Sequence, residues 1–512
     1  MDSRFHITLP VDHGPGDLEK ALSRFGVDPD KPFHIVRKSL DARGASPRFV
    51  YAVSRKDPRV LVSPKPVRRA PPCRPLIVGA GPAGIFTAFW LMENGVLSRL
   101  IEQGDPMPLR GQAAARFMRE GILDEQSNIC FGAGGAGAWS DGKLFTRIRS
   151  GWIHTLNEVL IRFGAPPEIR FESKPHLGSS RIRAVFRRIL DFLERGGVEI
   201  FYRTRFEDLE CVEFKGRKRV AGIRTSKGDF SAESVFLAAG HSARPVYECL
   251  AKIGAELRFK PFAAGIRVEH PAEWIDRIQF GRYAGHPALG HAAYRLAAEI
   301  RQRGVYTFCM CPGGYVLNAS TENGGMVVNG MSQPRRENAF SNAAVVVSIS
   351  GEDLSGTDVF RGIRFQRELE RRFAEAVNPK GRSAVVPAVR LVDFVNGRAG
   401  RKLPQTSMIH PVAPLPLHRF FPPFMREALS RGIRRFDRKM PGFLSGVAVA
   451  MAVESRTSSP VCVVRSPDTF QSTSIDGLYP VGEGAGYAGG ITSSAIDGLS
   501  AAECFLEPRR GR

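Results

Sequence analysis

The sequence has little cysteine, no long apolar run and too few acids to balance its bases. Eight cysteines in 512 residues, with no C-x-x-C pair and no zinc-finger spacing, exclude a disulfide framework and give no metal site. That usage fits a reducing compartment. No uninterrupted apolar stretch approaches the ~18–20 residues of a membrane span. The start, MDSRFHITLPVD, lacks a basic segment followed by an apolar one, so no signal peptide is expected. A soluble, cytoplasmic protein is the default expectation. Acids number 51 against 73 Lys and Arg, a net charge of +22. The excess is mostly arginine, spread over Arg181 to Arg195, Arg361 to Arg372 and Arg431 to Lys439. Such a field suits nucleic acid, anionic lipid or an acidic substrate. Arginine-rich, solvated helix faces account for it equally well.

The hydrophobic fraction of 43% is enough for a large core, and the length allows two or three domains. The chain is organised around Arg74 to Gly104. Leu76, Ile77 and Val78 read as a buried parallel strand. Gly79-Ala80-Gly81-Pro82-Ala83-Gly84 follows as G-x-G-x-x-G, and a helix runs on from Ile85 to Glu93. Gly79 serves the tight turn, Gly81 lets a pyrophosphate approach the backbone, and Gly84 lets helix pack on strand. The helix N-terminus, with Pro82 and Ala83, favours the anion. A second strand, Ser98 to Ile101, ends at Glu102, where a carboxylate accepts hydrogen bonds from adenosine ribose hydroxyls; Gln103 adjoins it. Strand, glycines, helix, strand and acid in register predict a dinucleotide site.

Residues 1–72 precede this unit and read as a small α+β module without a catalytic motif. Strands are expected at Phe5 to Leu9, Phe33 to Lys38 and Arg48 to Ser54. A helix is expected over Asp17 to Phe25, with Leu18, Ala21, Leu22 and Phe25 on its buried side. Ser63 to Pro72 is a basic, proline-rich linker, expected to be semi-rigid and exposed. Beyond Glu102, the segment from Asn128 to Arg147 carries Gly132, Gly134, Gly135 and Gly137. No strand, helix and acid continue it, so it reads as a loop whose backbone closes over a cofactor held elsewhere. Ser140, Asp141, Gly142 and Lys143 would lie near that cofactor. Arg181 to Arg195 is an amphipathic helix, and Val220 to Thr225 with Asp229 to Ser231 suggests a hairpin. Ser234 to Gly240 is a later parallel strand delivering Ala239 and Gly240 to the site. From about 246 to 455 the texture changes to short strands: Gly265 to Glu269, Val305 to Cys311, Met326 to Asn329 and Ala344 to Ser350. Helices are expected over Gly362 to Val377 and Phe424 to Phe436.

Glycine-rich sequence then returns as DGLYPVGEGAGYAGGITSSAIDGL, Asp476 to Leu499. A strand over Leu478 to Val481 meets a turn with Gly482 and Glu483. Gly489 and Gly490 lead into a helix starting at Ile491. The acid suits ribityl hydroxyls and the helix N-terminus suits negative charge on a reduced ring. Taken with the first motif, this implies a long cofactor.

Six separated segments carry a family resemblance: VGAGPAGIFTA, SNICFGAGGAGAWSDGKL, LAAGHSARPVYECL, YTFCMCPGGYV, VESRTSSPV and GLYPVGEGAGYAGGI. Through them the chain resembles the NAD(P)/FAD-dependent oxidoreductases, FAD-dependent dehydrogenases of the glutathione-reductase-like, two-dinucleotide-binding flavoprotein group. The resemblance runs from about Pro75 to Phe505. It implies non-covalent FAD and an α/β fold: a Rossmann-like FAD-binding domain with an inserted α+β substrate or cap domain, besides the N-terminal module. The expected boundaries are 1–72, 73–245, 246–455 and 456–507. NAD(P)H is a candidate electron donor or acceptor, though a second complete G-x-G-x-x-G is lacking.

The implied activity is a dehydrogenase or reductase passing a hydride between FAD and a small molecule, with anionic substrates favoured by the charge. A flavin monooxygenase, or a flavoprotein acting on nucleic acid, are the alternatives. Arg456, at the junction of cap and FAD domains, could hold a carboxylate or carbonyl, or pair with Glu454 or another core acid. His241, after the Ala239-Gly240 strand end, could exchange a proton or merely bond backbone. Cys309 and Cys311, two apart on a strand, would share one face and line the substrate pocket, or simply pack as small hydrophobes. His410 is left to surface or core.

Overall fold

The computed structural model describes residues 4–25, 28, 31–44, 46–66, 73–378 and 384–507. At its centre five short parallel strands lie in the spatial order Leu478–Pro480, Val235–Leu237, Leu76–Val78, Arg99–Ile101 and Glu199–Phe201. The chain thus supplies one edge strand from its far C-terminal end. Val235 stands opposite both Leu76 and Leu478, so the return is registered directly on the first motif. Continuous apolar runs such as Leu76-Ile77-Val78 suit strands covered on both faces. Helix Pro82–Glu93 is apolar around most of its circumference, with Ile85, Phe86, Phe89, Trp90 and Leu91 all buried, as a core helix must be. Helix Ile491–Leu506 packs on it closely because of glycine. A Cβ on Gly498 would come within 2.2 Å of the Ala83 carbonyl oxygen.

A second sheet of seven strands carries the other large core. Its order is Ala297–Ile300, Arg303–Cys311, Phe340–Ile349, Phe262–Pro271, Val449–Glu454, Val386–Arg390 and Val412–Pro414. The central strands are runs of small and β-branched residues, including Ala343 to Val347, which are fully buried. Helices Arg361–Val377 and Pro423–Lys439 bury Leu369, Phe373, Leu429, Ile433 and Phe436 against it. All seven strands fall between residues 262 and 454. Just outside them in sequence, Leu257–Phe259 and Val461–Val463 pair antiparallel, fastening the entering chain to the leaving chain. The hairpin expected near residue 220 is part of a larger ribbon. Arg217–Thr225 pairs with Gly228–Ser231 and also with Phe206–Phe214, a strand not read in the sequence.

The N-terminal module is a three-stranded sheet, ordered Arg4–Pro10, Arg48–Ser54, His34–Asp41, beneath helix Asp17–Ser23. Its core is small: Ile7, Leu9, Leu22, Tyr51 and Val53. It joins the rest through backbone, Lys38 donating to the Phe171 carbonyl at 2.7 Å and Ser173 to the Lys38 carbonyl at 2.8 Å. Residues 67–72 of the expected linker lie outside the described residues; Ser63 to Pro66 are exposed.

Three local expectations need correction. The first helix ends at Ser23, and Phe25, placed on its buried side, is 61% exposed. Its N–H turns back to the Leu22 carbonyl, which breaks the helical period. The strand expected at Met326 starts at Val328, because the Met326 N–H is taken by the Glu370 carbonyl. The Cys309–Cys311 stretch is not a regular strand. Cys309 has φ +45°, and the pairing with Phe340–Ile349 slips between Phe308 and Cys311, so period-two alternation does not apply there. No helix among the described residues is long and apolar enough to cross a membrane.

Candidate active site

The C-terminal ends of the parallel strands open into a cavity of about 860 Å³, where an open α/β sheet binds its ligands. Gly79, Gly81, Pro82, Ala83, Glu102, Gln103, Gly135, Ser140, Asp141 and Lys143 all line it. So do Ala239, Gly240, Gly482, Glu483, Gly489, Gly490 and Ile491. Gly84, Gly134 and Gly142 lie behind the wall. A Cβ on Gly84 would fall 1.9 Å from the Gly79 carbonyl oxygen, so this glycine sets helix-to-strand packing. Gly134, at φ +83°, donates its N–H to the Ala80 carbonyl at 2.8 Å. Gly142 abuts the Gly178 backbone.

Gly81 is different. Its φ is −81°, open to any residue, and a Cβ there would meet nothing nearer than the Gly135 Cα at 3.7 Å. The protein itself therefore does not require glycine at this position. What a side chain would occupy is the cavity, at the N-terminus of helix Pro82–Glu93. Across the cavity, Ile491, Thr492, Ser493 and Ser494 bring a second helix N-terminus to the wall. Between them, Glu483 faces the cavity with no hydrogen-bond or ion-pair partner among the described residues, and burial pushes its carboxyl up to about 7. Two electropositive helix ends, a glycine-lined cradle and an unsatisfied acid are an arrangement that fits a dinucleotide.

Glu102 serves the cradle differently from expectation. Its Oε2 accepts the Ala80 N–H at 2.8 Å, and its Oε1 accepts the N–H groups of Gly104 and Gly132 at 2.9 and 3.0 Å. The carboxylate thus ties the first glycine turn to the second glycine loop. It keeps spare acceptor capacity on Oε2.

Residues 261–457 match the family described as FAD-dependent protein, C-terminal domain-like. An uncharacterized protein of Clostridium beijerinckii is 39% identical over 438 residues, a span of 85% of this chain and 81% of that one. The chain belongs to the same family as this Clostridium protein, and its residues 261–457 match the FAD-dependent domain. It is an FAD-dependent oxidoreductase. Among solved structures it is similar to the myxobacterial chondrochloren halogenase CndH, an FAD-dependent halogenase, with TM-score 0.38, 13% identity and coverage of 88% of this chain and 77% of that one. It is also similar to glycine oxidase from Bacillus cereus, with TM-score 0.33, 12% identity and coverage of 86% and 96%. Those likenesses are loose.

In this FAD-dependent protein the far end of the cavity is built by the seven-stranded sheet. Arg456 lines it, but its guanidinium is occupied. Nε and Nη2 hold Glu370 at 3.0 and 2.8 Å, and Nη1 donates to Thr321 Oγ1 at 2.5 Å. The core acid pairing with Arg456 is therefore Glu370; Glu454 pairs with Arg267 at 2.9 Å. Arg244 takes the same Glu370 carboxylate at 2.8 Å. Burial alone would raise the Glu370 pKa, yet the two arginines outweigh it and hold the group down to about 2. His241 also lines the cavity, 3.4 Å from Ser242 Oγ. Burial lowers it to about 4, helped by Arg456 and Arg244, so it stands neutral near pH 7. His410 is buried away from the cavity and bonds the Phe117 carbonyl at 2.9 Å.

Cys309 lines the cavity and Cys311 does not. Because of the bulge, both sulfurs still approach one cation, each 3.9 Å from Lys143 Nζ. Lys143 also bonds the Met310 carbonyl and sits 3.2 Å from Asp141. Asp141 is held in turn by Ser332 and by Arg336 at 2.6 Å.

Sequence reasoning missed several groups. Arg147 and Arg295 line the cavity, and neither makes an ion pair among the described residues; nothing in their local sequence marks them. Glu370 did leave a signal. It falls on the apolar stripe of helix Arg361–Val377, with Ile363, Leu369 and Phe373, and a carboxylate there needs buried cations.

The arginines of helix Arg361–Val377 are largely matched by neighbours. Arg371 bridges Glu368 and Glu375, and Arg364 holds Asp358. These are solvated helix-face pairs.

Proposed function

We propose that this protein passes a hydride between non-covalently bound FAD and a small anionic substrate, as an oxidoreductase of the glutathione-reductase-like kind. Residues 246–455 serve as its inserted substrate domain. The observation carrying this reading is that Arg147 and Arg295, both without an ion-pair partner, share one cavity with the glycine cradle. An arginine free to fork can bind a carboxylate or phosphate bidentately.

Bound FAD supplies the two-electron carrier, and the chain supplies binding, orientation and electrostatics. Gly81, Pro82 and Gly135 fit a pyrophosphate. Glu102 through its remaining lone pair, and Gln103, fit the adenosine ribose. Glu483 fits ribityl hydroxyls, and the N-terminus at Ile491 suits a ring that gains negative charge. Arg456, already neutralised by Glu370, acts chiefly as part of the wall. His241, neutral at pH 7, can accept a proton from a substrate X–H group, or hydrogen-bond it in place. NAD(P)H is a redox partner consistent with this scheme.

The test is anaerobic reduction of the purified yellow protein. NADH, NADPH and a panel of carboxylates, phosphates and neutral counterparts are added in turn, and bleaching of the oxidised flavin band is followed. Reduction or reoxidation by anionic members, weakened at least tenfold in Arg295→Ala, is expected. Equal rates with charged and neutral members would overturn the anionic substrate. Oxygen uptake tied to substrate hydroxylation would replace hydride transfer with monooxygenation.

A further inference from the structure

The charges around Cys309 do not balance unless a sulfur carries one. Lys143, Arg267 and Arg336 converge on this corner from the loop after Trp139, from strand Phe262–Pro271 and from the segment before Phe340. Against them stand Asp141 and Glu454. Asp141 faces two of the cations, Lys143 at 3.2 Å and Arg336 at 2.6 Å. Glu454 faces Arg267, with bonds of 2.9 and 3.0 Å to one guanidinium nitrogen. Burial outweighs Arg267 and pushes Glu454 up to about 7, so this carboxyl offsets at most one cation. Three cations therefore meet two carboxylates. Glu483, the next acid along the wall, is pushed up to about 7 by burial and pairs with none of these three cations, and His176 is held neutral by burial and by Arg336. An uncompensated buried cation is costly. The thiols of Cys309 and Cys311, each 3.9 Å from Lys143 Nζ, are within reach of it.

We propose that Cys309 is held as a thiolate by Lys143 and is the nucleophile of this cavity, taking ligands with an electron-poor carbon. Three features single out Cys309 over Cys311. Cys309 lines the cavity, whereas Cys311 is fully buried. The bulge at φ +45° turns the Cys309 side chain out of the regular strand face. Its carbonyl accepts Arg267 Nη2 at 2.7 Å, which pins the bulge beside that cation. Two adjacent thiols do not both ionise. Donation from Cys311, then Lys143 and Arg267, draw the Cys309 proton off well below the usual thiol range, and Cys311 is pushed the other way. About 35% of the Lys143 side chain is exposed, and it lines the cavity with Cys309, so the pair is reachable by a small ligand.

The chemistry is redox-neutral. With an alkyl halide probe the sulfur lone pair forms an S–C bond, the carbon–iodine bond breaks, and iodide leaves with its electron pair. With an α,β-unsaturated carbonyl the sulfur adds to the β-carbon, the C=C pair moves to the carbonyl oxygen, and a proton from water completes the adduct. This does not depend on the identity of the flavin substrate.

The experiment is pulse alkylation of the FAD-loaded protein and of the same protein stripped of FAD. Iodoacetamide is applied from pH 5 to 9.5, and each cysteine is followed by peptide mass spectrometry, with the exposed Cys73 as internal clock. Cys309 is expected to react with a midpoint at least one pH unit below that of Cys73, at pH 6.5 at least tenfold faster. Lys143→Met should abolish that advantage, and Cys311→Ser, which keeps a donor, should preserve it. The ultraviolet thiolate band, compared between the parent and Cys309→Ser at pH 7, gives a second reading that needs no access. A Cys309 midpoint matching Cys73, a midpoint unmoved in Lys143→Met, no modification in either form, or no thiolate band at pH 7 each overturns the proposal.

Discussion

Arg456 holds Glu370 by two bonds, 3.0 and 2.8 Å long, on a carboxylate that Arg244 grips from another side at 2.8 Å. The three residues come from three places. Glu370 projects from helix Arg361–Val377 on the seven-stranded sheet. Arg244 opens the helix after parallel strand Val235–Leu237, and Arg456 follows strand Val449–Glu454. All three are nearly or fully buried. The cluster fastens the cavity's far wall to the sheet that carries the glycine cradle.

Removing the charge from Glu370 should therefore be costly. Glu370→Gln keeps the shape but leaves two buried guanidinium groups facing an amide, and breaking a buried pair costs about 3–5 kcal/mol. Urea unfolding of the FAD-loaded variant should show that loss. Glu375→Gln, on the exposed side of the same helix, should change stability by less than ~0.5 kcal/mol. Equal effects would remove the cluster as a fastening.

The fold was legible where one segment carries its own pattern. The strand, glycine turn and helix of Leu76 to Glu93 have local signals at every position, and so does the Leu478–Ile491 return. The stripe from Ile182 to Leu193 declares its helix equally. What stayed hidden depends on distant partners. Glu102 reads as a ribose acid, yet its donors are Ala80, Gly104 and Gly132, and no spacing announces that the Gly132 loop folds onto it. The C-x-C spacing says period two, but the bulge at Cys309 depends on its partner strand and on Arg267. Arg147 and Arg295 line one cavity although they are far apart in sequence, which local sequence does not encode.

Gly81 offers a test of cofactor fit separate from folding. A Cβ there has an allowed backbone and meets no protein atom nearer than the Gly135 Cα at 3.7 Å, so Gly81→Val should fold with unchanged circular dichroism and emerge without flavin. Gly84→Val, whose Cβ would strike the Gly79 carbonyl, should instead fail to fold. Retained FAD in Gly81→Val would show that no ligand occupies that space.

Buried neutral histidines should make the protein acid-sensitive. His176, His241 and His270 are all lowered to about 4, chiefly by burial. An imidazole that binds its proton more weakly folded than unfolded favours unfolding once the free ring protonates. Stability should thus be complete above the unfolded value of ~6.5 and fall as pH drops towards 4. His270 gives the clean case: it is fully buried, with Nε2 bonded to the Phe443 carbonyl at 2.8 Å and Nδ1 unpartnered among the described residues. Melting temperatures between pH 7.5 and 4.5 should slope less steeply in His270→Gln than in the parent. Parallel slopes would place the acid sensitivity elsewhere.

Glu102 allows the cradle's architecture to be separated from its ligand. If the carboxylate touched only a ribose, Glu102→Ala would weaken FAD and leave the FAD-free protein as stable as before. The three backbone donors argue otherwise. Glu102 is 5% exposed, and its loss strands the N–H groups of Ala80, Gly104 and Gly132 where little else can accept them. An unsatisfied buried donor costs about 1–3 kcal/mol, so the FAD-free variant should lose at least that much in urea unfolding. Glu102→Gln, which keeps one acceptor oxygen, should fall between parent and alanine. The loosened Gly104–Gly132 contact should also speed amide hydrogen exchange around Gly132 in FAD-free protein. Unchanged stability and exchange in FAD-free Glu102→Ala, with only FAD affinity reduced, would return Glu102 to a purely ligand-binding role.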